Sequence, residues 1–244
     1  MIRHKVIAEF FAAHCDNIEL LKEAYIRVLS VLAAELMNSK SYSRKFTLYK
    51  ELINHRKLYK RFKEDVNQAR YIYDSIVEAF NYDSQFWLQY GSLESEGEGG
   101  DLELAENYIN QAESLDGKSY YIQNAKGNLL FKKALEAKNL VLANEYKEEA
   151  EKILLNTIAN YGNTDAYCYH IFCARYYDWI ITYIKDSNLK NKGLQRLLKI
   201  AKKGMEYHPR NKRFQDLATV INKAYLNTGV NAEIEDPIYI DYEE

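Results

Sequence analysis

Residues 83–117 read DSQFWLQYGSLESEGEGGDLELAENYINQAESLDG, and the fold class rests on this stretch. Apolar residues recur at helical spacing on both sides of a glycine-rich break. Phe86, Trp87 and Tyr90 mark one helix over 84–95. Ala105, Tyr108, Ile109 and Ala112 mark a second over 102–115. Gly97, Gly99 and Gly100 between them are poor helix formers. Asp101 stands where a side chain can cap the second helix, and Gly117 closes the pair. A unit of two helices joined by a tight turn cannot bury its apolar face alone.

The same pattern extends outward. Helices are expected over 120–137 and 141–161, closed by Gly162, then over 165–184 and 190–207, closed by Pro209. A last helix over 213–226 ends before Gly229. The closing turns near Tyr82, Gly117, Gly162 and Pro209 are 35, 45 and 47 residues apart. Recurrence at such periods marks a helical solenoid. Towards the N-terminus, 2–13 reads as a helix, and Asp16 with Glu19 forms a capping box for the next one. From Ile18 that helix carries Leu20, Leu21, Tyr25, Val28, Leu29, Leu32, Ala33 and Leu36. A polar break at 39–43 precedes a helix over 44–54, with Leu48 and Leu52 on its stripe. Another spans 64–80 through Ala69, Ile72, Tyr73, Ile76 and Val77.

The expected fold is therefore all-α, a right-handed superhelical solenoid of antiparallel helix hairpins. Its expected divisions are an N-terminal helical segment over 1–80 continuous with the solenoid, repeats over 81–229, and an acidic tail over 230–244. The tail alternates Ile234, Ile238 and Ile240 with acids and reads as extended or disordered.

Composition narrows the function classes. The 244 residues include 2 prolines and 10 glycines, too few turn formers for a sandwich or a doubly wound sheet. The net charge of −2 gives no bulk attraction to nucleic acid or membrane. Charge is nonetheless blocked: 40–63 holds nine bases and one acid, and 81–120 holds nine acids and one base. These blocks read as solvated helix faces, or as two segments that face each other. Three cysteines, Cys15, Cys168 and Cys173, make no disulfide framework, which fits a reducing, cytoplasmic setting. The N-terminus lacks a signal-peptide core, and no run of apolar residues is long enough to span a bilayer.

Candidate chemical sites are weak. On a helix, Cys168, His170 and Cys173 point apart and cannot converge on one metal ion. Cys173 reads as a small packing residue. His4, His14 and Cys15 lack the turn and oxyanion hole of a nucleophile site. Glu94, Glu96, Glu98 and Asp101 lack EF-hand spacing and read as a solvated loop. The basic, tyrosine-bearing stretch 40–63 offers a second reading, a surface for single-stranded nucleic acid. No catalytic residue, cofactor or metal is expected.

The first unit resembles a tetratricopeptide repeat. That family spaces an aromatic, a large apolar, a small and a second aromatic residue along its first helix. Its second helix follows small, bulky, small, and its closing turn often holds proline. Trp87, Tyr90 and Gly91 fit the first helix, with Glu94 departing. Ala105, Ile109 and Ala112 fit the second. The unit over 165–209 fits throughout, with Tyr169, Phe172, Cys173 and Tyr176, then Leu197, Ala201, Gly204 and Pro209. The middle unit keeps Gly127, and Lys126 before it departs. The resemblance implies a concave groove that takes a protein or peptide. In this register Gln85, Leu88, Ser92 and Ser95 line it in one unit, and Tyr167, His170, Ala174 and Tyr177 in another. For the second set, partner contact and plain packing both remain open, because the helix is tyrosine-rich and apolar nearly all round.

The opening Arg3-His4-Lys5-Val6-Ile7-Ala8-Glu9 resembles the segment that follows the nucleotide-binding region of bacterial STAND-type NTPases. Some of these defend against phage, and their C-terminal repeats are implied to sense a phage protein. The resemblance implies that this chain is such a sensor portion. No Walker motif is present in the sequence. The alternatives are a free-standing scaffold or adaptor and a helical-repeat nucleic-acid binder.

Overall fold

The computed structural model describes residues 17–37 and 44–227. Among them it has eleven helices and no strand. In chain order these are α1 (Ile18–Met37), α2 (Arg44–Leu52), α3 (His55–Arg61), α4 (Val66–Phe80), α5 (Ser84–Glu96), α6 (Leu102–Leu115), α7 (Tyr120–Glu136), α8 (Leu140–Tyr161), α9 (Ala166–Tyr183), α10 (Ser187–Tyr207) and α11 (Lys212–Leu226). The helix expected over 2–13, the cap at Asp16 and the tail over 230–244 lie outside the described residues.

Short polar side chains start most of these helices. Asp65, Asp83, Asp101, Asn139, Asp165, Asp186 and Asn211 each accept a hydrogen bond from a backbone N–H of the following turn. Such a cap satisfies donors that the helix cannot reach itself. At α1 the cap is Asn17, whose side chain accepts from the Leu20 N–H at 3.1 Å.

Periodicity placed most of the helices but missed one and misplaced some faces. In α1, Leu21, Tyr25, Leu29, Leu32 and Ala33 are buried, whereas Leu20 and Val28 are 49 % and 43 % exposed. In α2, Tyr49 and the following Ile53 are buried, and Leu48 is exposed. Helix α3 was not expected at all. It separates from α4 through Lys63 and Glu64, both at positive φ (58° and 61°), a conformation usually left to glycine. Asp65 then caps α4, so that helix begins at Val66 instead of Glu64.

The chain forms two compact units that meet in sequence between Ile122 and Gln123. The first has an aromatic core. Tyr73 stacks on Tyr90 at 4.6 Å between ring centroids, and Tyr90 stacks on Tyr108 at 4.1 Å. Tyr49 stacks on Phe80 at 4.7 Å, and Phe86 meets Tyr73 edge to face at 5.6 Å. The phenol tips are bonded: Tyr90 Oη donates to Asp74 Oδ1 at 2.5 Å, Tyr73 Oη to the Ile53 carbonyl and Tyr49 Oη to Asp83. Burial is the main force that pushes all three phenols above their usual range, so they remain neutral donors.

In the second unit, Phe131, Leu154, Tyr169, Phe172, Cys173, Ile180, Leu194, Leu197, Ala201, Phe214 and Ile221 form one buried cluster. Phe172 stacks on Tyr176 at 5.4 Å, and Trp179 on Tyr183 at 4.3 Å. Asp165 and Ile184 bound α9, whose side chains enter this core from most directions.

Glycines allow close approaches between helices in both units. A Cβ at Gly91 would lie 2.7 Å from Ile109 Cγ1 and 3.1 Å from the Ala105 carbonyl oxygen. A Cβ at Gly204 would lie 2.6 Å from Phe214 Cε1 and 2.8 Å from Tyr169 Cγ. At Gly91 part of the obstacle is backbone, which cannot rotate away. Gly91→Ala is therefore expected to lower stability by about 1–3 kcal/mol, despite alanine's better helix propensity. Urea unfolding followed by circular dichroism measures this, and an unchanged or raised midpoint would refute the close packing of α5 on α6.

Candidate functional site

The aromatic helix α9 carries the most distinctive surface. Asp165 Oδ1 accepts from the Tyr167 N–H at 2.8 Å and fixes the first turn. From there Cys168, Tyr169, Ile171, Phe172, Cys173, Tyr176, Trp179 and Ile180 are buried. Tyr167, His170, Ala174 and Tyr177 are only half-buried, and Ile181 is 39 % exposed. Their spacing of three and four residues makes one continuous stripe along the helix. The tyrosine-rich sequence, apolar nearly all round, left packing and partner contact both open for this set. In α9 one face keeps contact with solvent.

Charged groups flank this stripe. Arg175 Nε donates to Asn128 Oδ1 on α7 at 2.6 Å, and its Nη1 pairs with Asp178 at 3.2 Å. Arg196 of α10 lies over the Tyr176 ring at 5.3 Å and donates to its hydroxyl at 3.2 Å. Tyr183 Oη donates towards the carbonyls of Ala134 and Leu135 at 3.1 Å and 3.2 Å, which ties the end of α9 to α7. The stripe thus sits on a helix held by directional bonds as well as packing.

The other expected groove set lies in the first unit. There Gln85 is half-buried, while Leu88, Ser92 and Ser95 are buried. Ser95 Oγ donates to the Ser92 carbonyl at 3.3 Å. Only Gln85 of this set has appreciable exposure.

The two inner cysteines are packing residues, Cys173 in the hydrophobic core and Cys168 beside a polar knot. Asn124 Nδ2 donates to Cys168 Sγ at 3.4 Å, and Thr157 Oγ1 donates to Asn124 Oδ1 at 2.8 Å. Burial pushes both thiols above their usual range, which disfavours the thiolate that a ligand or nucleophile needs. Among the described residues no group of three His, Cys, Asp or Glu side chains is placed to hold a metal ion. No helix there is long and apolar enough to cross a membrane. His4, His14 and Cys15 fall outside the described residues.

Of the acids around the glycine loop, Glu98 and Asp101 are exposed as expected, but Glu94 and Glu96 are not solvated. Glu94 is buried and takes two bonds from Arg70, each 2.8 Å, plus one from the Asp101 N–H at 3.0 Å. Glu96 receives Arg56 Nε at 2.9 Å and faces His55 Nε2 at 3.1 Å. Asp101 caps α6. The basic and acidic blocks therefore do meet, through α3 on α5. His55 also brings its backbone N–H and Nδ1 to Gln89 Oε1, at 3.1 Å and 2.8 Å. Within 40–63, Lys57 pairs with Glu51 and Arg61 donates to Tyr25 Oη. Three of the bases considered for nucleic acid are thus already engaged by the protein. The sequence signal for α3 was Asn54, whose side chain accepts from the Lys57 N–H at 3.1 Å.

Comparison with family models, curated proteins and solved structures returns no match for this chain.

Two measurements test this charge arrangement. Burial alone would raise the Glu96 pKa, but the bonds from His55 and Arg56 more than offset it and hold it at about 2, below the ordinary 4.5. A depressed carboxylate contributes stability that is present above its unfolded pKa and is lost as pH falls through its folded one. Wild-type stability should therefore decline between pH 4.5 and about 2, and Glu96→Gln should flatten that part of the profile. A profile that Glu96→Gln leaves unchanged would refute the clamp. Separately, Arg70→Ala strands a buried carboxylate and should cost about 3 kcal/mol, with Glu94→Gln in the same chain recovering part of the loss. A double mutant no more stable than Arg70→Ala would show that the pair is not coupled.

Proposed function

We propose that this chain is a non-catalytic protein-recognition module, a right-handed solenoid of tetratricopeptide-like helix hairpins that takes a protein or peptide against α9. The observation that carries this reading is the half-buried stripe Tyr167, His170, Ala174 and Tyr177, continued by Ile181, on a helix otherwise sunk in the core. These are the positions that the repeat register assigns to a groove. Tyrosine suits such a place because its ring excludes water while its hydroxyl can bond to a partner.

Packing supports the repeat assignment. Gly91 lies against Ala105 and Ile109, and Gly204 against Tyr169. These are the small-against-bulky pairs expected where one helix of a repeat crosses the next. The opening segment's resemblance to STAND-type NTPases points to a sensor portion of a defence protein, with a phage protein as ligand. The engaged state of Arg56, Lys57 and Arg61 makes the nucleic-acid alternative the weaker one.

The test uses purified phage structural and packaging proteins in a direct binding assay. Ala174→Arg places a bulky cation in the middle of the stripe without removing core atoms. It should weaken binding at least about tenfold, equal to about 1.4 kcal/mol, with an unchanged melting temperature. Tyr167→Ala with Tyr177→Ala should weaken it further. Full binding by Ala174→Arg would remove α9 as the recognition face. Salt-sensitive binding to single-stranded DNA, with none to protein, would replace the reading with a nucleic-acid one.

A further inference from the structure

We propose that the outer face of α10 binds the phosphate backbone of a double-stranded nucleic acid. Helix α10 turns Leu194, Leu197 and Ala201 into the second unit's core. On its opposite side Lys192, Lys199, Lys202 and Lys203 are all exposed. At helical spacing Lys192, Lys199 and Lys203 fall within an arc of about 40°, with Lys202 at its margin. None of these four ammonium groups is paired with a carboxylate of the described residues. Arg196 differs, since it pairs with Glu151 at 3.3 Å and lies over the Tyr176 ring. Charge is segregated in this part of the chain. Residues 187–226 hold ten bases and two acids, although the net charge of the whole chain is −2. The one acid of α10 is Glu206, in its last turn. Lys199 therefore repels Lys202 and Lys203 one turn away, with no acid on its own turn to offset them. A row of one sign repels itself and gains stability when an anion covers it.

The composition of the row selects the anion. Protein interfaces bury an apolar core, and lysine is depleted there. A helix that lies on a membrane sets apolar side chains against its bases. Between Lys192 and Lys203 the exposed side chains are Gln195, Arg196 and the lysines, and none is apolar. Single strands are held on aromatic platforms, whereas Tyr207, the one aromatic of α10, lies past the end of the row. Phosphates of a duplex require none of these features. Lysine meets them as a point charge, without reference to base sequence. The row from Lys192 to Lys203 spans about 16 Å, the length of about five phosphates along one strand of a duplex. These lysines stand on a different helix from the α9 stripe and apart in sequence from the engaged bases of 40–63. The inference therefore does not rest on protein recognition by α9.

The experiment titrates the full chain against a fluorescent duplex DNA of mixed sequence, by anisotropy, over a range of salt concentrations. Four phosphate contacts should make log Kd rise with log salt at a slope of about 3.6. Lys192→Gln with Lys199→Gln and Lys203→Gln should lower that slope by about 2.7 and weaken binding at least about tenfold at low salt. The melting temperature should stay unchanged or rise, because the substitutions are exposed and relieve repulsion. Lys60→Gln with Lys63→Gln removes charge from exposed positions in the first unit and should leave the slope as it was. An equal loss in that variant would show bulk charge at work and overturn the proposal. So would a wild-type chain that does not bind the duplex at low salt. Single-stranded DNA, poly-glutamate or phosphatidylserine vesicles bound as tightly as the duplex would overturn the choice of partner. Ala174→Arg should not weaken duplex binding, which separates this test from that of the α9 face. Loss of the duplex in that variant would place it on α9 and refute the assignment to α10.

Discussion

A phenol buried in an apolar core must keep a hydrogen bond, and this requirement shapes the molecule. The sequence has 22 tyrosines, so cores that other helical proteins fill with leucine are here partly filled with side chains that carry a polar tip. Several of these tips constrain a second element. Tyr73 reaches the end of α2 at the Ile53 carbonyl, Tyr49 reaches the Asp83 cap of α5, and Tyr183 reaches the last turn of α7. An unmade bond at such a site costs about 1–3 kcal/mol, comparable with burying an aliphatic side chain. A slip of one helix by a turn would break several at once. The tyrosines therefore specify register as well as supplying apolar area.

Asp83 shows how closely these roles are joined. Its side chain accepts from the Gln85 N–H at 3.0 Å and starts α5, and it also accepts from Tyr49. Asp74, two turns into α4, holds Tyr90 in the stack with Tyr73 and Tyr108. Glu94 performs a similar double task, pairing with Arg70 and receiving the Asp101 N–H that begins the next helix. Acids that look like loop solvation in a linear reading thus act as junctions between helices.

The sequence made some of this visible and hid the rest for identifiable reasons. Helices beginning at Asp83, Asp101 and Asp165 were legible because a cap is a local bond between neighbours in the chain. That Tyr167, His170, Ala174 and Tyr177 share one face of α9 was legible because helical spacing fixes direction around a helix, while the choice between packing and contact stayed open. Helix α3 was not. It is seven residues long, rich in bases, and ends at Lys63 and Glu64, whose positive φ values have no glycine to announce them. Leu20, Val28 and Leu48 were assigned inward because periodicity reports that an apolar face exists without saying where its centre lies. The partners of Glu94 and Glu96 stand 24 and 40 residues away in sequence, a distance at which no local pattern operates.

Among the described residues two stripes keep contact with solvent, Leu20, Ala24, Val28 and Val31 on α1 and the half-buried set on α9, and their chemistry separates them. The α1 stripe is Leu, Ala, Val and Val, with no polar atom to offer. Such a surface is unfavourable in water and gains only from apolar cover. The α9 stripe mixes Tyr167, His170 and Tyr177 with Ala174. Its amphipathic rings tolerate a half-exposed position, so exposure costs less. The two tyrosine rings also pack against the second unit's core, so little side-chain freedom is left to lose on binding. A surface meant to be vacant part of the time needs that tolerance. Of the two stripes, the one on α9 has the mixed composition that the proposed recognition role requires.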